Sequence, residues 1–260
     1  MKLNRASLQE ILFEKADLYN RPNFIEADPI SIPHLFTQAA DIEIAGFLTA
    51  TIAWGQRKSL IQNARELMRR MDFAPHDFIV HHTQKERKHF GDFVHRTFNG
   101  EDAQFFLERL QQLYQQYPSL EPLFYMASHS AFDGIVQFRH AFLGEDALTR
   151  HGKHVANPAA GSAAKRINMF LRWMVRNDKR GVDFGIWKTL RPAQLQIPLD
   201  VHSGRVARKL GLLERTQDDW RAVEELTAAL RTFDANDPVR FDYALFGMGV
   251  NERTTFSAQR

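Results

Sequence analysis

Apolar residues recur along this 260-residue chain at the i, i+3, i+4 spacing of helices, and no series of alternating stretches marks strands. The pattern predicts an amphipathic helix over 2–20, a helix over 41–54 that is apolar on nearly every side, and a polar, basic helix over 56–71. Further helices are predicted at 101–116, 119–129, 131–143, 162–177, 201–210, 217–232 and 238–248, with 144–161 as a loop. Asp41 and Glu43 fall in the first turn of their helix, where its dipole favours them. Thr216 with Asp219 reads as a capping box, and Asp237 as the N-cap before Pro238. On the helix from Ser162, residues Ala163, Ala164, Ile167, Phe170, Leu171 and Met174 share one face. Lys165, Asn168, Arg172 and Arg176 form a stripe opposite. Such a stripe is either a solvated face or a track for a phosphate backbone.

Composition narrows the function classes. There are no cysteines, which excludes disulfides, thiolate zinc sites, iron–sulfur clusters and cysteine nucleophiles. The N-terminus alternates charged and apolar residues without the apolar core of a signal peptide. The apolar run from Ile44 to Trp54 is too short to span a bilayer. A soluble, cytoplasmic protein without a membrane partner is expected. The 21 phenylalanines supply ample core volume, and a net charge of +3 hints only weakly at an anionic partner.

Residues 197–213 read IPLDVHSGRVARKLGLL, with Asp200 just ahead of a predicted helix. Taken alone, Asp200 is an N-cap, His202 a first-turn residue without a second histidine at metal-ligand spacing, and Arg205, Arg208 and Lys209 a basic flank. No metal or cofactor is expected. This segment resembles the VDTH…RV…RLGL stretch of the helix–hairpin–helix DNA glycosylases, the superfamily that contains endonuclease III. DPVRFDYALFGMG (237–249) resembles the superfamily's closing helix, and TATIAWGQRKSLIQNARELM its early helix ending in a glutamine, here Gln56. NPAAGSAAKR (157–166) is similar in position to the glycine-bearing hairpin and its following lysine, here Lys165. The chain also resembles a family of uncharacterised bacterial proteins with the same S-x-x-K-R…R-W-M-V-R…P-L-D-V-H pattern.

The resemblance implies an all-α fold of two lobes with a cleft between them. Residues 1–40 would pack with a C-terminal lobe, 196–260, carrying Asp200, and 41–195 would form the middle lobe. It also implies a monomeric base-excision enzyme acting on double-stranded DNA with a damaged base. Asp200 would be the catalytic carboxylate, and Lys165 the nucleophile if the enzyme also cuts the strand. The pattern departs from the family in three respects. Only Gly161 marks the hairpin, no cluster cysteines follow the last helix, and NDKRGVDFGIWKTLRPAQLQ lengthens the lysine–aspartate separation. The archaeal 8-oxoguanine glycosylases have a comparable lengthening.

Such chemistry needs the target nucleotide extruded from the stack. Gln56 and Arg57 are the candidate wedge; Trp54, Trp187 and Phe246 are candidates to stack on the base. Lys58, Arg166, Arg172, His202, Arg205 and Arg208 are candidates to hold DNA. A carboxylate beside the sugar would stabilise its developing positive charge. A lysine attacks only as free amine, and Arg166 and Arg172 are expected to crowd Lys165 with positive charge. Lys188 is the fallback nucleophile; without either lysine, Asp200 would activate water. Ser162-x-x-Lys165 also matches the S-x-x-K of serine β-lactamases, but their companion motifs and sheet are missing. Two rivals remain: a catalytically inactive nucleic-acid-binding protein on the same scaffold, and a helical interaction protein in which Asp200 merely caps.

Overall fold

The computed structural model describes residues 4–124 and 130–252. The fold is mostly α. Its helices are α1 (Arg5–Tyr19), α2 (Ala39–Thr51), α3 (Arg57–Arg70), α4 (Pro75–His81), α5 (Gln84–Arg87), α6 (Gly100–Tyr114), α7 (Ala131–Leu143), α8 (Lys165–Val175), α9 (Val201–Lys209), α10 (Trp220–Arg231) and α11 (Phe241–Asn251). One short antiparallel hairpin, β1 (Val94–His95) and β2 (Phe98–Asn99), pairs Val94 with Asn99 and His95 with Phe98. Glu121–Phe124 forms a 3-10 turn; the rest of the helix predicted at 119–129 lies outside the described residues.

The chain divides into two compact units, and the division differs from the boundaries 1–40, 41–195 and 196–260. The first unit takes Met1–Phe24, His129–Ala131 and Asn157–Arg260; the second takes Ile25–Ser128 and Phe132–Ala156. Residues 157–195 therefore belong with the C-terminal helices. The reason is α8, from which Ile167 through Val175 are all buried and so need cover on every side.

In the second unit α2 is the central helix, buried from Ile42 to Thr51. Phe47 meets the rings of Phe106, Phe138 and Phe142 at 5.2–6.1 Å. Of the two acids expected at the start of α2, Asp41 accepts from the His76 amide at 2.9 Å. Glu43 is buried, accepting from the Leu120 amide at 2.8 Å and from the Tyr114 hydroxyl. The polar stretch 144–154 folds as short 3-10 turns over α6. It delivers Arg150 and His151 to the fully buried Asp102 at 2.8 and 2.9 Å.

In the first unit α11 lies against α1 and α9, and two glycines permit the approach. A Cβ on Gly247 would fall inside the Tyr19 ring, and one on Gly249 would stand 2.9 Å from the His202 carbonyl oxygen. Gly247→Ala should therefore cost ~1–3 kcal/mol, the usual penalty of overpacking. Thermal unfolding should show a lowered midpoint; an unchanged one would mean that α1 yields freely. The predicted capping box at Thr216 is corrected: α10 starts later, and Asp219 is its N-cap, accepting from the Ala222 amide at 3.1 Å. Asp237 does stand at the N-cap before Pro238, but its side chain makes no capping hydrogen bond; its carboxylate faces Arg176 at 2.8 Å instead.

Candidate active site

Three chain segments of the first unit build the site. Asp200 ends the buried extended stretch Leu195–Leu199 and caps α9. Its Oδ1 accepts from the His202 and Ser203 amides at 2.8 and 2.9 Å, while the Ser203 hydroxyl reaches back to the Asp200 amide at 2.9 Å. All the hydrogen bonds fall on Oδ1, so Oδ2 accepts none from the described residues. The carboxylate is half-buried, clamped by one oxygen and open at the other.

Lys165 is the first residue of α8. Gly161 (φ 85°) and Ala164 (φ 49°) both take the left-handed conformation ahead of it, and this turns the chain sharply into the helix. Its side chain is half-buried, and its amine makes no hydrogen bond or salt bridge with any described residue. The fallback Lys188 is instead exposed and donates to the Gly185 carbonyl at 2.5 Å.

The third segment is the closing helix expected over 237–249, but its acid Asp242 was not among the expected site residues. Asp242, in the first turn of α11, is 6% exposed and pairs through Oδ2 with Arg172 Nη1. Its Oδ1 accepts no hydrogen bond among the described residues. Burial pushes its carboxyl up to about 6, against the pull of Arg172; the charges of Asp200 and Lys165 both bear on it, raising and lowering it respectively. Asp200, Lys165 and Asp242 thus share one electrostatic neighbourhood although 77 positions separate the first and last of them in the chain (242 − 165).

The stripe Lys165–Asn168–Arg172–Arg176 is not a surface. Asn168, Arg172 and Arg176 are all buried. Arg172 lies over the Tyr243 ring at 4.3 Å and faces Asp183 as well as Asp242. Arg176 faces Asp178, Asp183 and Asp237 at 2.8–3.1 Å. This overturns Arg172 as a DNA contact, because its guanidinium is held inside the unit by carboxylates. The same carboxylates offset the positive charge that Arg172 was expected to bring to Lys165. The inserted segment after α8 explains the burial. It turns back so that the Phe184 and Trp187 amides take the Trp173 and Met174 carbonyls at 2.9 Å, and it seats Asp183 under both arginines.

Other expected residues divide similarly. Trp187 is buried and edge-on to Phe170 at 5.4 Å, which leaves it no face for a base; it is a core residue. Arg205 donates to the Gly249 carbonyl at 2.9 Å and ties α9 to α11. Arg208 donates to the Arg215 carbonyl and faces Asp218 at 2.6 Å, which holds the loop after α9. Both therefore serve the fold. Arg166 is half-buried, and burial lowers its guanidinium to about 10. His202 and Phe246 are half-buried neighbours, ring edge to ring face at 6.3 Å, and His202 Nδ1 is buried without a partner.

In the second unit Gln56, Arg57 and Lys58 are exposed at the start of α3, after the left-handed Gly55. Trp54 is half-buried there, stacked on His154 at 6.0 Å, and its carbonyl accepts from His95 at 3.0 Å. No group of three or more histidines, acids or cysteines among the described residues could hold a metal ion. No described helix is long and apolar enough to cross a membrane.

The family model of DUF2400, a protein of unknown function, matches residues 28–251, and the chain belongs to that family. No curated protein and no solved structure matches it.

Proposed function

We propose that the chain is a DNA glycosylase of the base-excision type, acting on an oxidised purine and cutting the strand through Lys165. One observation carries the proposal. Asp200 and Lys165 each keep a free polar atom, and both bear electrostatically on the same buried carboxylate. Unengaged, partly buried charged groups in one neighbourhood are costly to a fold, which is why they mark reaction sites more often than scaffolds.

In the proposed reaction the Lys165 amine bonds to the sugar C1′ as the bond from C1′ to the base nitrogen breaks. The base leaves with that electron pair. Asp200 Oδ2 stands beside the sugar and stabilises its positive charge. The sugar ring then opens as the C1′–O4′ bond breaks and O4′ takes a proton from the amine, giving the Schiff base, and loss of a C2′ proton expels the 3′ phosphate. Asp200 is well placed for this because α9 holds its other oxygen and fixes its direction. The exposed turn Gln56–Lys58 is a proposed DNA contact in the second unit. The burial of Arg172 and Arg176 removes the basic stripe of α8 as a DNA track for this reading and for the inactive-binder alternative alike, and Asp200→Asn separates the two.

Lys165→Gln should eliminate the covalent adduct trapped by borohydride on an 8-oxoguanine duplex. Lesion binding should stay within about threefold, since the lost amine makes no structural bond. Trapping that survives in this variant but vanishes in Lys188→Gln would move the nucleophile to Lys188.

A further inference from the structure

The hairpin Val94–Asn99 takes no part in the proposed chemistry, yet its tip holds a residue that packing does not explain. His95 pairs with Phe98, so Arg96 and Thr97 are the whole turn, and Arg96 sits at φ 57°. Glycine, asparagine and aspartate adopt that conformation readily, whereas a long side chain is strained in it. A contact inside the fold would be the ordinary compensation. Arg96 is instead exposed and makes no hydrogen bond or ion pair with any described residue. Strain that the fold does not use marks a functional position.

The side chain is nevertheless held in place. A Cβ added at Gly55 would stand 2.8 Å from Arg96 Cδ and 3.1 Å from its Nη1, so the side chain lies across the bare Gly55 backbone. The preceding hairpin residue, the buried His95, fastens the same turn. Its Nε2 donates to the Trp54 carbonyl at 3.0 Å, and its Nδ1 accepts from the Asn63 side-chain amide at 2.8 Å. A carbonyl only accepts, so Nε2 carries the proton. Burial, with the Arg96 charge beside it, lowers the His95 pKa and keeps the ring neutral.

We propose that Arg96 binds a backbone phosphate of duplex DNA, and that the hairpin exists to present it beside the turn Gly55–Lys58. This rests on the reading of DNA as the partner and not on the chemistry at Lys165. A guanidinium offers two parallel N–H donors to one phosphate, which suits a side chain whose course is fixed. Gln56, Arg57 and Lys58 follow Gly55 directly, and all are exposed. No acid occurs from Ile44 to Arg65 or from Phe93 to Gly100, so neither segment repels a polyanion. The flanking acids, Glu66 and Asp92, are engaged by Arg69 and Arg70.

The test is equilibrium binding to a fluorescent undamaged duplex and to one carrying 8-oxoguanine, followed by anisotropy from low to high salt. Wild type, Arg96→Gln and Arg96→Gly are compared, with thermal unfolding of the same preparations. One phosphate contact contributes ~0.9 to the slope of log affinity against log salt. Arg96→Gln should therefore weaken both duplexes by the same factor and lower the slope by ~0.9. Arg96→Gly installs the residue that the turn prefers, so it should lose the same slope without a fall in melting temperature. An unchanged slope in either variant would overturn the proposal, and a lowered melting temperature beside it would make Arg96 a structural residue. Weakening confined to the 8-oxoguanine duplex would make Arg96 a lesion contact and also overturn it. Tighter binding to single-stranded RNA of the same length, with the same slope loss, would overturn DNA as its partner. Borohydride trapping by the wild type is read separately: an adduct beside an unchanged slope leaves the parent reading standing. A wild type that binds no duplex would remove both.

Discussion

Asp200→Asn should abolish base release and leave the molecule folded. Asn is as good an N-cap as Asp, and its side-chain oxygen can still accept from the His202 and Ser203 amides. The stability cost is the lost charge at the helix N-terminus, ~0.3–1 kcal/mol. The catalytic cost is far larger. Removing one group that stabilises charge in a transition state lowers kcat by roughly 10²–10³-fold. Single-turnover base release with a lesion duplex, beside thermal unfolding of the same preparation, separates the two. DNA affinity should hold or improve, because a negative charge near the backbone is removed. Equal losses in stability and activity would make Asp200 a cap and nothing more.

The second large effect concerns Arg176, which outward exposure of the stripe would make nearly neutral to folding. Arg176→Met should destabilise the protein by ~3–5 kcal/mol, because Asp178, Asp183 and Asp237 would lose their shared cation inside the unit. For a chain of this size that is a fall in melting temperature on the order of 10 °C. The pH dependence has a definite sign. Asp183 keeps Arg172 and Asp178 keeps Arg180, so the loss falls hardest on Asp237, whose carboxyl burial already raises; the penalty is full above its folded-state pKa and shrinks as pH falls and it takes up a proton. Calorimetry at neutral and mildly acid pH should therefore show a smaller gap between variant and wild type on the acid side. A gap below about 1 kcal/mol, or one that widens in acid, would contradict the buried network.

Much of the helical layout was legible because period and capping act locally. The all-apolar segment 41–54 became the central helix of one unit, and Asp200 opened α9 where a lone acid before a helical run places it. What failed was inference about where faces point. Arg172 and Arg176 read as solvent-facing because lysines and arginines usually are, and the acids that bury them arrive from 183, 237 and 242, beyond any local window. A signal did exist. Asp242 is an acid in the first turn of the otherwise apolar FDYALFGMG, and the two arginines on α8 stand one turn apart amid apolar neighbours. Charges of opposite sign on two apolar helices predict that the helices meet with those charges paired. Helices α4 and α5 and the hairpin 94–99 were missed for a simpler reason, since they are too short to show a period. The same limit hid the start of α8, where Ala163 and Ala164 precede the helix instead of joining its apolar face.

The central claim is that Lys165 and Asp200 act on a sugar together, and one measurement reaches it directly. The wild-type protein is incubated with duplexes that each carry a single lesion, 8-oxoguanine first; borohydride is added, and the adduct is digested and mapped by mass. A covalent adduct on Lys165 is expected, formed by the wild type and absent from Asp200→Asn. No adduct and no released base on any duplex, or an adduct spread over surface lysines and indifferent to Asp200, would contradict it.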